Sequence, residues 1–177
     1  MEHPVLSFLL NYFSDMHLQC TLTDGVGIDL SSLDLGLRNS ILNRTDATSS
    51  DVLSMLEENT IYQITDYYEC GYSFFQFPNE HQILFIGPYL TKEFSDSDIY
   101  DLMNRIQIPS ELFPQLHDYF YALPCISEKF SFSSMLRHLY ASIFSTELPT
   151  LHPIDLKKFE STEEFLEKNK FHVPDDP

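Results

Sequence analysis

Apolar positions in the first residues recur with helical spacing. Val5, Phe8, Leu9, Tyr12, Phe13 and Met16 form one stripe, which predicts a helix over 4–16. Residues 17–23 then alternate, with Leu18, Cys20 and Leu22 on one side, and read as a strand ended by Asp24-Gly25. Residues 25–50 are rich in Gly, Ser, Asp and Asn and read as short helical turns joined by loops. Ser50 or Asp51 caps a short expected helix through Glu58 that buries Val52, Leu53, Met55 and Leu56. Over 61–90 the period changes. Residues 61–68, 72–77 and 81–86 read as three strands, separated by turns at Glu69-Cys70-Gly71 and Pro78-Asn79-Glu80. Gly71 is the residue expected to supply positive φ, and Gly87-Pro88 is expected to end the third strand. The loops are short enough for an antiparallel meander. Phe75 and Phe77 fall on one face and Tyr72 and Phe74 on the other, so both faces are expected to be covered, or one to line a cavity.

Three helices are expected next. Ser95 with Asp98 resembles a capping box ahead of a stripe at Ile99, Leu102, Met103 and Ile106. A second helix runs from about Leu112 to Ala122 and is stopped by Pro124. The most regular spans 131–144, with Phe132, Met135, Leu136, Leu139, Tyr140 and Ile143 at helical spacing. Beyond Phe144, Leu148-Pro149 and His152-Pro153 interrupt the pattern and the texture becomes charged. Residues 1–144 therefore read as the domain and 145–177 as a linker. The order of elements predicts an α+β fold: an antiparallel sheet of about four to six strands with helices on its faces.

Composition changes the picture mainly through charge. The 177 residues carry 10 Lys+Arg against 27 Asp+Glu, a formal net charge of -17, with 15 Phe and 10 Tyr. Such an excess of carboxylates repels phosphate backbones, so these residues are not expected to grip nucleic acid or an anionic membrane. No apolar run approaches a membrane span, no basic stretch precedes the first apolar residues, and a cytoplasmic location is expected. Cys20, Cys70 and Cys125 are widely spaced, form no CxxC pair and match no zinc pattern, so reduced thiols are the simplest reading. Cys70, in a hairpin turn, is the one that an exposed redox sensor would use.

Enzyme signatures fail one by one. Asp24-Gly25-Val26-Gly27 lacks the third glycine and the basic residue of a phosphate cradle. There is no G-x-S-x-G elbow and no H-E-x-x-H, and the seven His are scattered. No catalytic residue, metal ligand or cofactor is assigned. Asp66, among Tyr62, Tyr67 and Tyr68, reads as a strand-end carboxylate in water, with orientation of a polar ligand as the alternative. Arg38 and Arg44 lie in the irregular segment 25–50. Each either neutralises Asp34 or Asp46 or meets an anionic ligand.

The run Ile83-Leu84-Phe85-Ile86-Gly87-Pro88-Tyr89-Leu90, followed by an acidic helix, Ile108-Pro109, Tyr119-Phe120-Tyr121-Ala122-Leu123-Pro124 and a helix ending Leu139-Tyr140, resembles the N-terminal sensor domains of a group of bacterial AraC-type transcriptional regulators. The resemblance covers roughly 5–145. It implies a GAF- or PAS-like domain with a small-molecule cavity, and DNA binding by a C-terminal helix-turn-helix region absent from this chain. It supplies no fixed ligand-contact motif. A small-molecule effector and a homodimer are the expected partners, the helices at 4–16 and 131–144 being candidate seam elements. The cavity is expected between the sheet face bearing Phe75, Phe77 and Phe85 and the segment 33–56. Alternation names Cys20, Arg38, Tyr62, Phe75 and Phe85 as candidate lining groups. The rival readings are a stand-alone acidic interaction protein, such as an inhibitor that mimics nucleic acid, and a small enzyme with an unrecognised site.

Overall fold

Residues 4–24, 30–44, 56–78 and 80–158 are described by a computed structural model. Four helices, α1 (Pro4–Asp15), α2 (Asp96–Ile106), α3 (Phe113–Ala122) and α4 (Lys129–Phe144), flank five strands: β1 (Cys20–Thr23), β2 (Thr60–Thr65), β3 (Gly71–Gln76), β4 (Ile83–Tyr89) and β5 (Thr150–Asp155). The α+β class and the β2–β3–β4 meander follow the hydrophobic pattern. So does α2, whose Ser95 hydroxyl accepts from the Asp98 N–H while the Asp98 carboxylate accepts from the Ser95 N–H. The expected helix through Glu58 falls mostly on residues outside the described ones.

The strands lie in the order β1-β4-β3-β2-β5. Four of them pair antiparallel, and β5 runs parallel to β2. The expected domain boundary at 144 therefore moves outward, because Thr150–Asp155 belongs to the sheet. Leu156 N–H donating to the Thr65 carbonyl at 2.8 Å extends the pairing by one residue. An edge position lets β5 carry Pro153, whose missing N–H would break the ladder of a central strand.

Each sheet face has its own core. Tyr62, Ile64, Tyr72, Phe74, Ile83 and Phe85 meet the turns at 30–42 together with α2 and α3. Ile61, Phe75, Phe77, Leu84, Ile86 and Tyr89 meet α1 and α4. Phe74 lies directly opposite Phe85, their rings 4.7 Å apart, whereas Phe75 lies opposite Leu84. The expected grouping of Phe75, Phe77 and Phe85 is thus split across the sheet. Parity within a strand is readable from sequence; the register between strands is set by their pairing.

The strand β4 does not end at Gly87-Pro88 but bulges there and continues. Gly71 pairs with Tyr89 and Ser73 with Ile86, so two residues on β4 face one on β3 and β4 carries one extra residue. The bulge turns Tyr89 toward α4, against Phe132. Gly71 is required for a different reason from the expected one. Positive φ in the preceding turn falls on Glu69, at 67°. A Cβ on Gly71 would lie 2.5 Å from the Tyr89 ring.

Candidate functional site

Two polar places interrupt this apolar architecture. The first is a buried charge cluster beneath the face that bears Phe85. A left-handed Gly36 (φ 88°) starts a π-helical turn, Leu37–Leu42, which aims Arg38 at the sheet. Arg38 Nη1 donates to Asp34 Oδ2 and Nη2 to Asp66 Oδ2, each at 2.9 Å. Asp34 also accepts from the backbone N–H of Gly36 and Arg38. Asp66 Oδ1 accepts from the Tyr68 and Cys70 N–H groups. The Arg38 guanidinium lies 4.6 Å from the Tyr68 ring centroid, and Tyr119 donates its hydroxyl to the Asp34 carbonyl at 2.7 Å. Asp34, Arg38 and Asp66 are no more than 1% exposed.

Burial opposes the Arg38 charge, yet the Asp66 and Asp34 carboxylates outweigh it and hold the guanidinium more firmly protonated than usual. Burial raises the Asp66 carboxyl, against the opposing pull of Arg38 and the two backbone donors. The cluster's work is structural: it ties the turn at 34–38 to the end of β2 and to α3. Of the alternatives for Arg38, neutralisation of Asp34 holds, with Asp66 as a second partner. The expectation that Asp66 stands in water is overturned.

The same cluster corrects the reading of Cys70. Its thiol is fully buried, 3.7 Å from the Tyr119 hydroxyl, and burial pushes its pKa well up. Cys20 is half-buried and pushed up to about 12 by burial, while Cys125 is exposed. With a disulfide reagent under native conditions, Cys125 is expected to react first and Cys70 only upon unfolding, when all three thiols titrate. Mass mapping of the modified peptides checks this; fast native labelling of Cys70 would refute the buried geometry.

The second place is an open cleft of about 320 Å³ between the β2–β5 edge and the start of α4. Gln63, Ile64, Thr65 and Tyr89 form its floor, Pro153, Ile154 and Asp155 one wall, and Ile126, Lys129 and Phe132 the other, with Thr91 and Lys157 completing the lining. The α4 wall is positioned by chain crossing the end of β4: Leu90 N–H donates to the Pro124 carbonyl at 2.8 Å, and Ile126 N–H donates to the Leu90 carbonyl. Beneath the floor lies a satisfied polar network. Gln63 Nε2 donates to Ser133 Oγ at 3.1 Å and to Ser73 Oγ at 3.4 Å, and Ser73 Oγ is 2.8 Å from the Tyr89 hydroxyl. Burial pushes the Tyr89 phenol up to about 12, with Ser73 opposing.

The five residues named from sequence do not converge. Arg38, Tyr62 and Phe85 lie on one face. Cys20 and Phe75 pack on the other, Phe75 against Tyr140 at 5.1 Å. Tyr62 stacks on Phe74 and accepts the Glu57 N–H at its hydroxyl. None of the five lines the cleft. The residues that do line it carried a signal: Gln63 puts an amide among Ile61, Tyr62 and Ile64, and Lys129 and Lys157 are cations in a chain that has few.

Among the described residues, no group of three His, Cys, Asp or Glu could hold a metal ion, and no helix is long and apolar enough to cross a membrane. The chain matches no family model, no curated protein and no solved structure.

Proposed function

We propose that the chain is a sensory domain of the kind that AraC-type transcriptional regulators carry, and that the cleft beside β5 receives its small-molecule effector. One observation carries this reading. The cleft wall formed by Pro153, Ile154 and Asp155 belongs to the edge strand through which the chain leaves the sheet toward its C-terminal residues. A ligand seated there touches the core strand β2 and the exit strand β5 together. Differential binding to two arrangements of β5 shifts their populations, and that shift is the output. In this reading DNA is bound by a C-terminal helix-turn-helix region outside these residues, in keeping with their net charge of -17. A homodimer seam along α1 and α4 is supported by the outward Phe8, Leu10 and Phe130, the last 88% exposed. Light scattering reads that part directly.

A thermal-shift screen of small metabolites tests the receiver. At least one compound is expected to raise the Tm of the chain. Thr91→Trp, which fills the cleft mouth, is expected to abolish the shift while moving the unliganded Tm by only about 2 °C. A library that stabilises nothing, or whose hits act equally on T91W, contradicts the reading.

A further inference from the structure

We infer that the ligand of this cleft is a small organic anion, a carboxylate on an apolar or aromatic body, whose charge is held by Lys129 and Lys157. The inference deepens the receiver reading and rests on it. Positive side chains are scarce in this protein, and most described ones are committed elsewhere. Arg38 is enclosed by two aspartates. Arg44 donates to the Ile106 carbonyl, Arg105 to the Tyr67 carbonyl and Arg137 to the Pro149 carbonyl. Lys92 lies 3.7 Å from Asp98. Two lysines nevertheless face one cleft. Lys129 makes no ion pair among the described residues. Among the described residues Lys157 pairs with Glu69 alone, at 3.5 Å, with both side chains partly in water.

The single carboxylate among the described lining residues, Asp155, accepts the backbone N–H of Lys157 at 2.9 Å. The described lining therefore sets two ammonium groups against one carboxylate, with Glu69 beside Lys157 outside it. At physiological salt, screening over about 8 Å makes these local charges, Glu69 included, the field that a bound ligand meets, and Lys129 is the cation in it with no ion pair among the described residues.

The remainder of the cleft sets the body of the ligand. Gln63, Ser73, Tyr89 and Ser133 satisfy one another and ask nothing of a ligand. Ile126, Phe132, Pro153 and Ile154 offer apolar walls. The cationic demand of the described lining thus comes from the two ammonium groups, with Thr65, Thr91 and Asp155 as its other polar residues. Lysine acts as a point charge without a fixed fork geometry, so it selects the sign of the head group rather than a bidentate shape. An anion with a greasy body fills both requirements, and the volume lies at the small end of ligand pockets.

The test is an amide NMR titration of the full chain with three probes: benzoate, benzyl alcohol and inorganic phosphate. Benzoate is expected to shift the amides of Ile126, Lys129, Phe132 and Ile154 saturably, and each of Lys129→Gln and Lys157→Gln to weaken it about three- to five-fold. Benzyl alcohol is expected to bind the same amides at least about ten-fold more weakly, and phosphate likewise. Benzyl alcohol binding as tightly as benzoate overturns the anion inference and leaves the receiver reading intact. Phosphate matching benzoate overturns the apolar half of it. No benzoate shift at these amides overturns the inference outright, while the metabolite screen decides the receiver reading separately.

Discussion

Replacing Arg38 by methionine is expected to lower the unfolding free energy by about 3–5 kcal/mol. The side chain is 1% exposed and lies between two carboxylates that are equally enclosed. Methionine fills much of the space but leaves Asp34 and Asp66 facing one another's negative charge without a cation. Breaking one member of a buried ionic group costs more than the intact group contributes, because the desolvation of the survivors is no longer offset. A domain of this kind holds about 5–15 kcal/mol in total, so the loss is a large share of its stability. Denaturant unfolding followed by circular dichroism reads the effect as a lower midpoint at unchanged slope. Converting the trio together, Arg38→Met with Asp34→Asn and Asp66→Asn, is expected to recover part of the loss, since no charge then remains buried. An unfolding free energy for R38M within about 1 kcal/mol of the parent would mean that water reaches the cluster and that it is no structural tie.

Gly87→Ala is expected to cost about 2–4 kcal/mol through a purely steric route. Gly87 sits at φ 136°, which an L side chain rarely adopts. An added Cβ would approach the Gly71 carbonyl oxygen to 2.7 Å and the Tyr72 ring to 3.1 Å. The backbone oxygen cannot step aside, because Gly71 is held in the β3–β4 pairing. Relief requires the bulge to open, and the bulge is what points Tyr89 into the α4 core and its hydroxyl at Ser73. Thermal unfolding is expected to show a fall of roughly 5–15 °C, taking about 2–4 °C per kcal/mol for a chain of this size. A fall below about 2 °C would show that the bulge is soft.

The parts of this fold that sequence reveals are those decided locally. The stripe of α4, the capping box of Ser95 and Asp98, and the alternation of β3 depend on residues within a few positions of one another. The parts it hides depend on distant pairings. Arg38 and Asp66 are 28 residues apart, and nothing local distinguishes an arginine that will be enclosed from one that will meet a ligand. The placement of Phe85 turns on β3–β4 register, which a one-residue bulge offsets. Residues 150–155 read as linker because their outward residues are polar and Pro153 interrupts them, both of which suit an edge strand laid parallel to β2. The cleft unites β2, the chain after β4, α4 and β5, so it has no contiguous signature; the polar Gln63 within a buried strand and the scarcity of cations are its only traces in the chain.

Amide hydrogen exchange on the full chain, with and without a stabilising compound from the metabolite screen, tests most directly whether β5 receives the signal. The sheet supplies its own control, since β5 and β1 are its opposite edges. Binding is expected to slow exchange at the Thr150 and Leu156 amides, which bond the Asn59 and Thr65 carbonyls, and to leave the β1 amide partners unchanged. Equal slowing at both edges, or none at β5, would contradict the account.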